Sequence, residues 1–176
     1  YIQYTYLPPV YGEVNNVDSL LSYGSGGGAV KRHDPSISWW SNGSAGGGII
    51  KLVVGDIVSD GTGEIRANGS SELNTTTDNG LIALGGAGSG GSISVRINAY
   101  TGSTSLNASA PAGTACTYDR CTIPENGVVI AQGAAATSST GLLPVTAGGG
   151  MAQFNSLQGG GGGGGRVFIY AQVQPI

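Results

Sequence analysis

Three short stretches of alternating apolar residues in this chain are each entered through consecutive glycines. Gly46-Gly47-Gly48 precedes Ile50, Leu52 and Val54; Gly90-Gly91 precedes Ile93, Val95 and Ile97; the run Gly159 to Gly165 precedes Val167, Ile169, Ala171 and Val173. Apolar side chains at every second position line one face of a half-buried strand, because successive Cβ atoms point to opposite faces. No apolar set recurs at three-to-four spacing, and every longer window is interrupted by Gly, Pro or Asn, so no helix is predicted. The fold class that follows is all-β.

The unit also repeats. Ile50 falls on Ile93 at an offset of 43, and Glu64-Ile65-Arg66-Ala67 aligns with Ser105-Leu106-Asn107-Ala108 at an offset of 41, with Gly61 on Gly102. Two segments recurring at nearly one offset predict a solenoid, whose units stack and change length only in their loops. Asn42-Gly43, Asn68-Gly69, Asn79-Gly80 and Asn126-Gly127 supply turns between strands. The remaining glycines are read as corner residues, where tight bends need unusual φ values and stacked backbones approach too closely for side chains.

The stretches GSAGGGIIKLVVGDIVSDGTGEIRANG (43 to 69), GAGSGGSISVRINAYTGSTSLNASA (86 to 110) and GGGGGGGRVFIYA (159 to 171) together resemble the glycine-rich parallel β-helix repeats of large secreted and cell-surface proteins. The resemblance covers roughly residues 24 to 110 and 159 to 173, and residues 111 to 158 depart from it. It implies a right-handed parallel β-helix with short rungs, two coils to each repeat. Two regions are expected: an N-terminal arm over 1–20, and a glycine-rich β-solenoid domain over 21–176 with a Cys116 to Cys121 loop insertion.

Composition narrows the function. The chain has 34 glycines, seven Lys and Arg, ten Asp and Glu and a net charge of −3. The cations are spread singly apart from Lys31-Arg32, so no basic stripe exists to attract phosphates, and nucleic acid is not an expected partner. No run of about 18 apolar residues predicts a membrane span. The chain opens at Tyr1 with no basic-then-apolar leader, which reads as a mature, processed, soluble product, expected to be secreted. Cys116 and Cys121 lie close enough in sequence to close a small disulfide loop, with two unlinked thiols as the alternative; with His33 they supply at most three metal ligands. Asn42, Asn68, Asn74 and Asn107 each begin a glycosylation acceptor tripeptide, and attached sugars would hydrate an otherwise uncharged surface.

Catalytic signals are sparse. The polyglycine run is followed by neither Lys-Ser nor Lys-Thr and leads into a strand, unlike a phosphate-binding loop. Asp56, Asp60 and Glu64 read as solvated turn carboxylates rather than a calcium-binding repeat. Only His33 and Asp34, beside Lys31-Arg32, crowd an acid, a base and cations together, and they carry the alternative of a carbohydrate-active β-helix lyase or hydrolase. Trp39, Trp40 and Tyr170 carry the second alternative, a glycan-binding adhesion module that stacks sugar rings on aromatic faces. No catalytic residue, metal or cofactor is assigned.

The N-terminal Tyr1-Ile2-Gln3-Tyr4-Thr5-Tyr6-Leu7 is β-prone and ends at Pro8-Pro9, which withhold amide donors from any ladder. Tyr1, Ile2, Tyr4, Tyr6 and Leu7 are read as an assembly arm that adds a strand to a neighbouring copy, with an ordinary first strand as the alternative. The expected function is a structural subunit of an extracellular filament or surface layer, built head to tail from copies of itself.

Overall fold

The alternating segments become neighbouring strands of one parallel sheet. A computed structural model describes residues 21–33, 38–71, 76–78, 81–83, 85–101, 104–113, 128–132, 141–150, 153–154, 157–158 and 161–173. Among these the only regular elements are strands: β1 (Val30–His33), β2 (Ser38–Ser41), β3 (Ile49–Val54), β4 (Ile65–Arg66), β5 (Thr76–Asp78), β6 (Leu81–Ala83), β7 (Ser92–Tyr100), β8 (Thr104–Ser109), β9 (Val128–Gln132), β10 (Gly141–Thr146), β11 (Gln153–Phe154), β12 (Leu157–Gln158) and β13 (Arg166–Val173). The pairs β1-β2, β5-β6 and β11-β12 are antiparallel; every other pairing is parallel. The arm at 1–20 and the Cys116 to Cys121 loop lie outside the described residues.

The larger sheet has four strands in the order β3-β7-β13-β9. Its register places Ile50, Ile93 and Val167 in one row, Leu52, Val95 and Ile169 in the next, and Val54, Ile97 and Ala171 in a third. On the two interior strands Ile93, Val95, Ile97, Val167 and Ile169 are sealed and Ala171 is partly buried; full burial of such an aliphatic side chain contributes about 1.5 to 3 kcal/mol. Phe168, Ser92, Ser94 and Arg166, on the opposite face, are buried as well. Both faces of this part of the sheet are therefore covered, the usual state of a parallel sheet.

The smaller sheet has three strands in the order β4-β10-β8. Its Val145, with Ala147, Ala67 and Ala110 in the residues just after its strands, packs against Ile93, Val95, Ile97, Val167 and Ile169 in one core. Through β10, Ile65 is equivalent to Ala108, since both face Val145. The repeat of this strand is thus 43 residues, the offset of the first strand type, in place of the 41 read from sequence. A slip of two residues conserves which side chains face inward, so side-chain character alone does not betray it. The stacking order also departs from chain order: β13 lies between β7 and β9, and β10 between β4 and β8.

The glycine runs are not corners. Residues 22–28, 42–48, 67–71, 85–91, 110–113, 147–150 and 161–165 lie side by side and hydrogen-bond to one another. The segment 85–91 is central: Gly86 and Ser89 donate to Gly28 and Ser25, Gly88 and Gly91 donate to Ser70 and Ala67, and Gly90 donates to Gly163, all at 2.8 to 3.1 Å. On its accepting side, Gly86 and Ser89 receive bonds from Ser44 and Gly47, and Gly88 receives one from Gly150. Bonds to a given neighbour recur every third residue. That is the period of a polyproline II helix, which has three residues per turn and no internal hydrogen bonds. Exposure has the same period, with Tyr23, Gly26 and Ala29 outermost on one segment and Asn42, Ala45 and Gly48 on the next.

Close approach, not φ, demands the glycines. Gly61 is the one described glycine with positive φ, at 91°, and it lies in a loop outside the bundle. A Cβ on Gly88 would lie 1.9 Å from the carbonyl oxygen of Ala45, and one on Gly90 2.0 Å from that of Ala147. Each strand of the larger sheet from β3 to β7 to β13 is a direct continuation of a bundle segment, and β4, β8 and β10 each run directly into one. Bundle and sheets are one framework.

Candidate functional site

The buried polar residues gather where bundle meets sheet. Ser22 donates its amide to Ser92 Oγ at 3.0 Å, and Ser92 Oγ donates to Ser22 O at 2.8 Å. Arg166, opposite Ser92 in the register, is buried and brings Nη1 to 3.5 Å from Ser22 Oγ. One turn along, Ser25 and Ser89 repeat the contact, with their hydroxyls 3.0 Å apart and the Ser25 amide 2.7 Å from Ser89 Oγ. Serine thus occupies bundle positions where a neighbouring segment presents a polar group to meet. These contacts fasten the first described segment to the start of β7, and the guanidinium is part of that clasp.

At the far end of the sheets, carboxylates and hydroxyls tie the loops together. Asp56 accepts from the Ile57 amide at 2.9 Å and from Thr101 Oγ1 at 2.7 Å, joining the loop after β3 to the end of β7. The Thr101 hydroxyl holds the Asp56 carboxyl below its ordinary value; burial opposes this and the amides of Ile57 and Thr101 reinforce it. Asp60 is lowered by the Thr62 hydroxyl and then by its amide. Glu64 pairs with Arg66 at 2.6 Å on the surface. Tyr100 donates its hydroxyl to the Thr104 carbonyl, while Thr104 Oγ1 accepts from the Ser59 amide at 2.8 Å. Burial, and then the charge of Asp56, raise the Tyr100 phenol. Ionised carboxylates held by neighbouring donors act as turn acceptors; among the described residues no three His, Cys, Asp or Glu side chains converge.

The residues singled out from sequence are scattered over this framework. Asn42, Asn68 and Asn107 are exposed: the first on the outer ridge of a bundle segment, the second in the bundle, the third in β8. Asn68 Oδ1 accepts the Gly148 amide at 2.7 Å, which leaves Nδ2, the atom that carries a glycan, on the other side of the amide. His33 lies on β1 opposite Ser38, and Trp39 and Trp40 lie on β2 opposite Arg32 and Lys31. Tyr170 is half-buried on β13. Asn74, Asp34, Cys116, Cys121 and the arm residues Tyr1, Ile2, Tyr4, Tyr6 and Leu7 fall outside the described residues.

What sequence reading missed is the outer strand of the larger sheet. The inward residues Ile50, Leu52 and Val54 of β3 are only partly buried, although Ile93, Val95 and Ile97 beside them are sealed. Val53 is 59% exposed and Val58, in the following loop, 81% exposed. Their alternation resembles that of β7, so their place at an edge had no signal of its own. Among the described residues no helix is long and apolar enough to cross a membrane. The chain matches no protein-family model, no curated protein and no solved structure.

Proposed function

We propose that this protein is a structural subunit of an extracellular filament or surface layer, assembled from copies of itself and N-glycosylated at Asn42, Asn68, Asn74 and Asn107. The observation that carries this reading is the framework itself: glycine segments packed backbone to backbone and running directly into two parallel sheets, each of which ends in strands paired on one side only among the described residues. Such edges are templates for further strands unless charge, proline or a cover protects them. β3 carries Lys51 as its only charge. Exposure of Asn42, Asn68 and Asn107 supports glycosylation and, with it, a secreted location. A right-handed solenoid is the finer reading of the fold, supported by the parallel 43-residue repeat of β3 onto β7. No catalytic residue or cofactor is part of the reading, and the arm at 1–20 is a further contact between copies.

Electron microscopy of the natural protein at neutral pH is the test. Ordered filaments or sheets, together with a mass loss on enzymatic deglycosylation, are expected. Dispersed monomers across a concentration series would reject the assembly.

A further inference from the structure

We infer that copies of this chain join through the larger sheet, with β3 of one copy lying parallel beside β9 of the next. This rests on the reading of the protein as a self-assembling subunit and specifies the contact. All four strands of the sheet run in the same direction, and β3 and β9 are its two ends. Among the described residues β3 and β9 are each paired on one side only, and the outer side of β9 has the polarity that the outer side of β3 requires. A translation along the sheet, without a two-fold rotation, brings them together, which makes the contact heterologous and open-ended.

The backbone of β3 is set for this. Gly48 O accepts the Ser92 amide, and backbone groups alternate along a strand, so Ile50, Leu52 and Val54 direct their amides and carbonyls to β7. Ile49, Lys51 and Val53 direct theirs outward. The side chains agree: the row Ile50, Leu52 and Val54 is half-open at this end and sealed one strand further in. A fifth strand would complete that burial. β9, with the sequence Val-Val-Ile-Ala-Gln, has no charge to repel it. The smaller sheet has three strands and is not required to be continuous between copies.

Four strands at about 4.8 Å give an axial advance of about 19 Å per copy. Val53→Pro removes one outward donor without touching the ladder to β7, and proline is tolerated on the open side of an edge strand. Val53→Glu, at an exposed position, places a charge beside the same edge. Fibre diffraction of wild-type filaments is expected to show strand spacing along the axis with the repeat of about 19 Å, and both variants are expected to raise the critical concentration for assembly at least tenfold while keeping the wild-type circular dichroism spectrum. Should Val53→Pro fold poorly, Val53→Glu alone decides. Wild-type filaments that both variants form equally well, or a closed dimer that does not grow, would overturn the β3–β9 contact and leave the structural reading standing. A wild-type protein that stays monomeric overturns both.

Discussion

Glycine has two roles in the bundle, and single substitutions separate them. At Gly88 an added methyl would lie 1.9 Å from Ala45 O, which is backbone and cannot yield without moving a whole segment. Gly88→Ala is expected to cost about 3 kcal/mol or more, at the upper end of overpacking effects. Gly48 is exposed, lacks a positive φ, and an added methyl there would meet nothing within 4 Å. Gly48→Ala is expected to be neutral or to stabilise by about 0.5 kcal/mol, because alanine restricts the unfolded chain more than glycine does. Urea denaturation of the two variants beside the wild type checks the pair. Equal losses at both positions would mean that backbone approach is not what glycine supplies. Composition alone treats these glycines alike, since what distinguishes them is a carbonyl contributed by another segment.

At the scale of elements, the loop between β3 and β4 is tied to the end of β7 through Asp56 and Thr101, and this connection is pH-sensitive. The folded pKa of Asp56 is lowered, chiefly by the Thr101 hydroxyl, so its ionised form favours the fold. The contribution is complete above the ordinary carboxylate value of 3.8 and disappears as pH falls through the lower folded value. Thr101→Val is expected to lower the melting temperature near neutrality and to flatten its fall on acidification below about pH 4. Thermal melts of both proteins across that range check this, and parallel acid limbs would sink it.

The elements also divide into those legible in sequence and those that were not. β3, β7 and β13 stand out because each carries an apolar residue at every second position directly after a run of glycines, and they are adjacent in one sheet, as their similarity implies. The insertion of β13 between β7 and β9 has no local signal, since it is set by pairings between segments far apart in the chain. The bundle was invisible for a related reason: glycine has no side chain to display a three-residue period. Of the candidate site, the acceptor tripeptides at Asn42, Asn68 and Asn107 are legible in sequence, whereas the clasp of Ser22, Ser92 and Arg166 spans 144 residues and only the fold brings it together.

For the whole molecule, continuity between bundle and sheets makes the glycine segments as secure as the strands. The amides of Gly86, Gly88, Gly90 and Gly91 bond to three different segments, and the next residue begins β7. Releasing any of them requires opening several neighbours at once. Native-state hydrogen exchange is expected to give these amides protection close to that of Val95 and Ile97, near the free energy of global unfolding. Fast exchange at 85–91 beside slow exchange in β7 would show the bundle opening by itself. The three-way division of contacts has a further effect, on length. One extra glycine in 85–91 would turn every later residue through a third of a revolution and present each face to the wrong neighbour. Insertions and deletions here are tolerable in multiples of three, so a genetic screen of length variants should recover survivors in steps of whole turns.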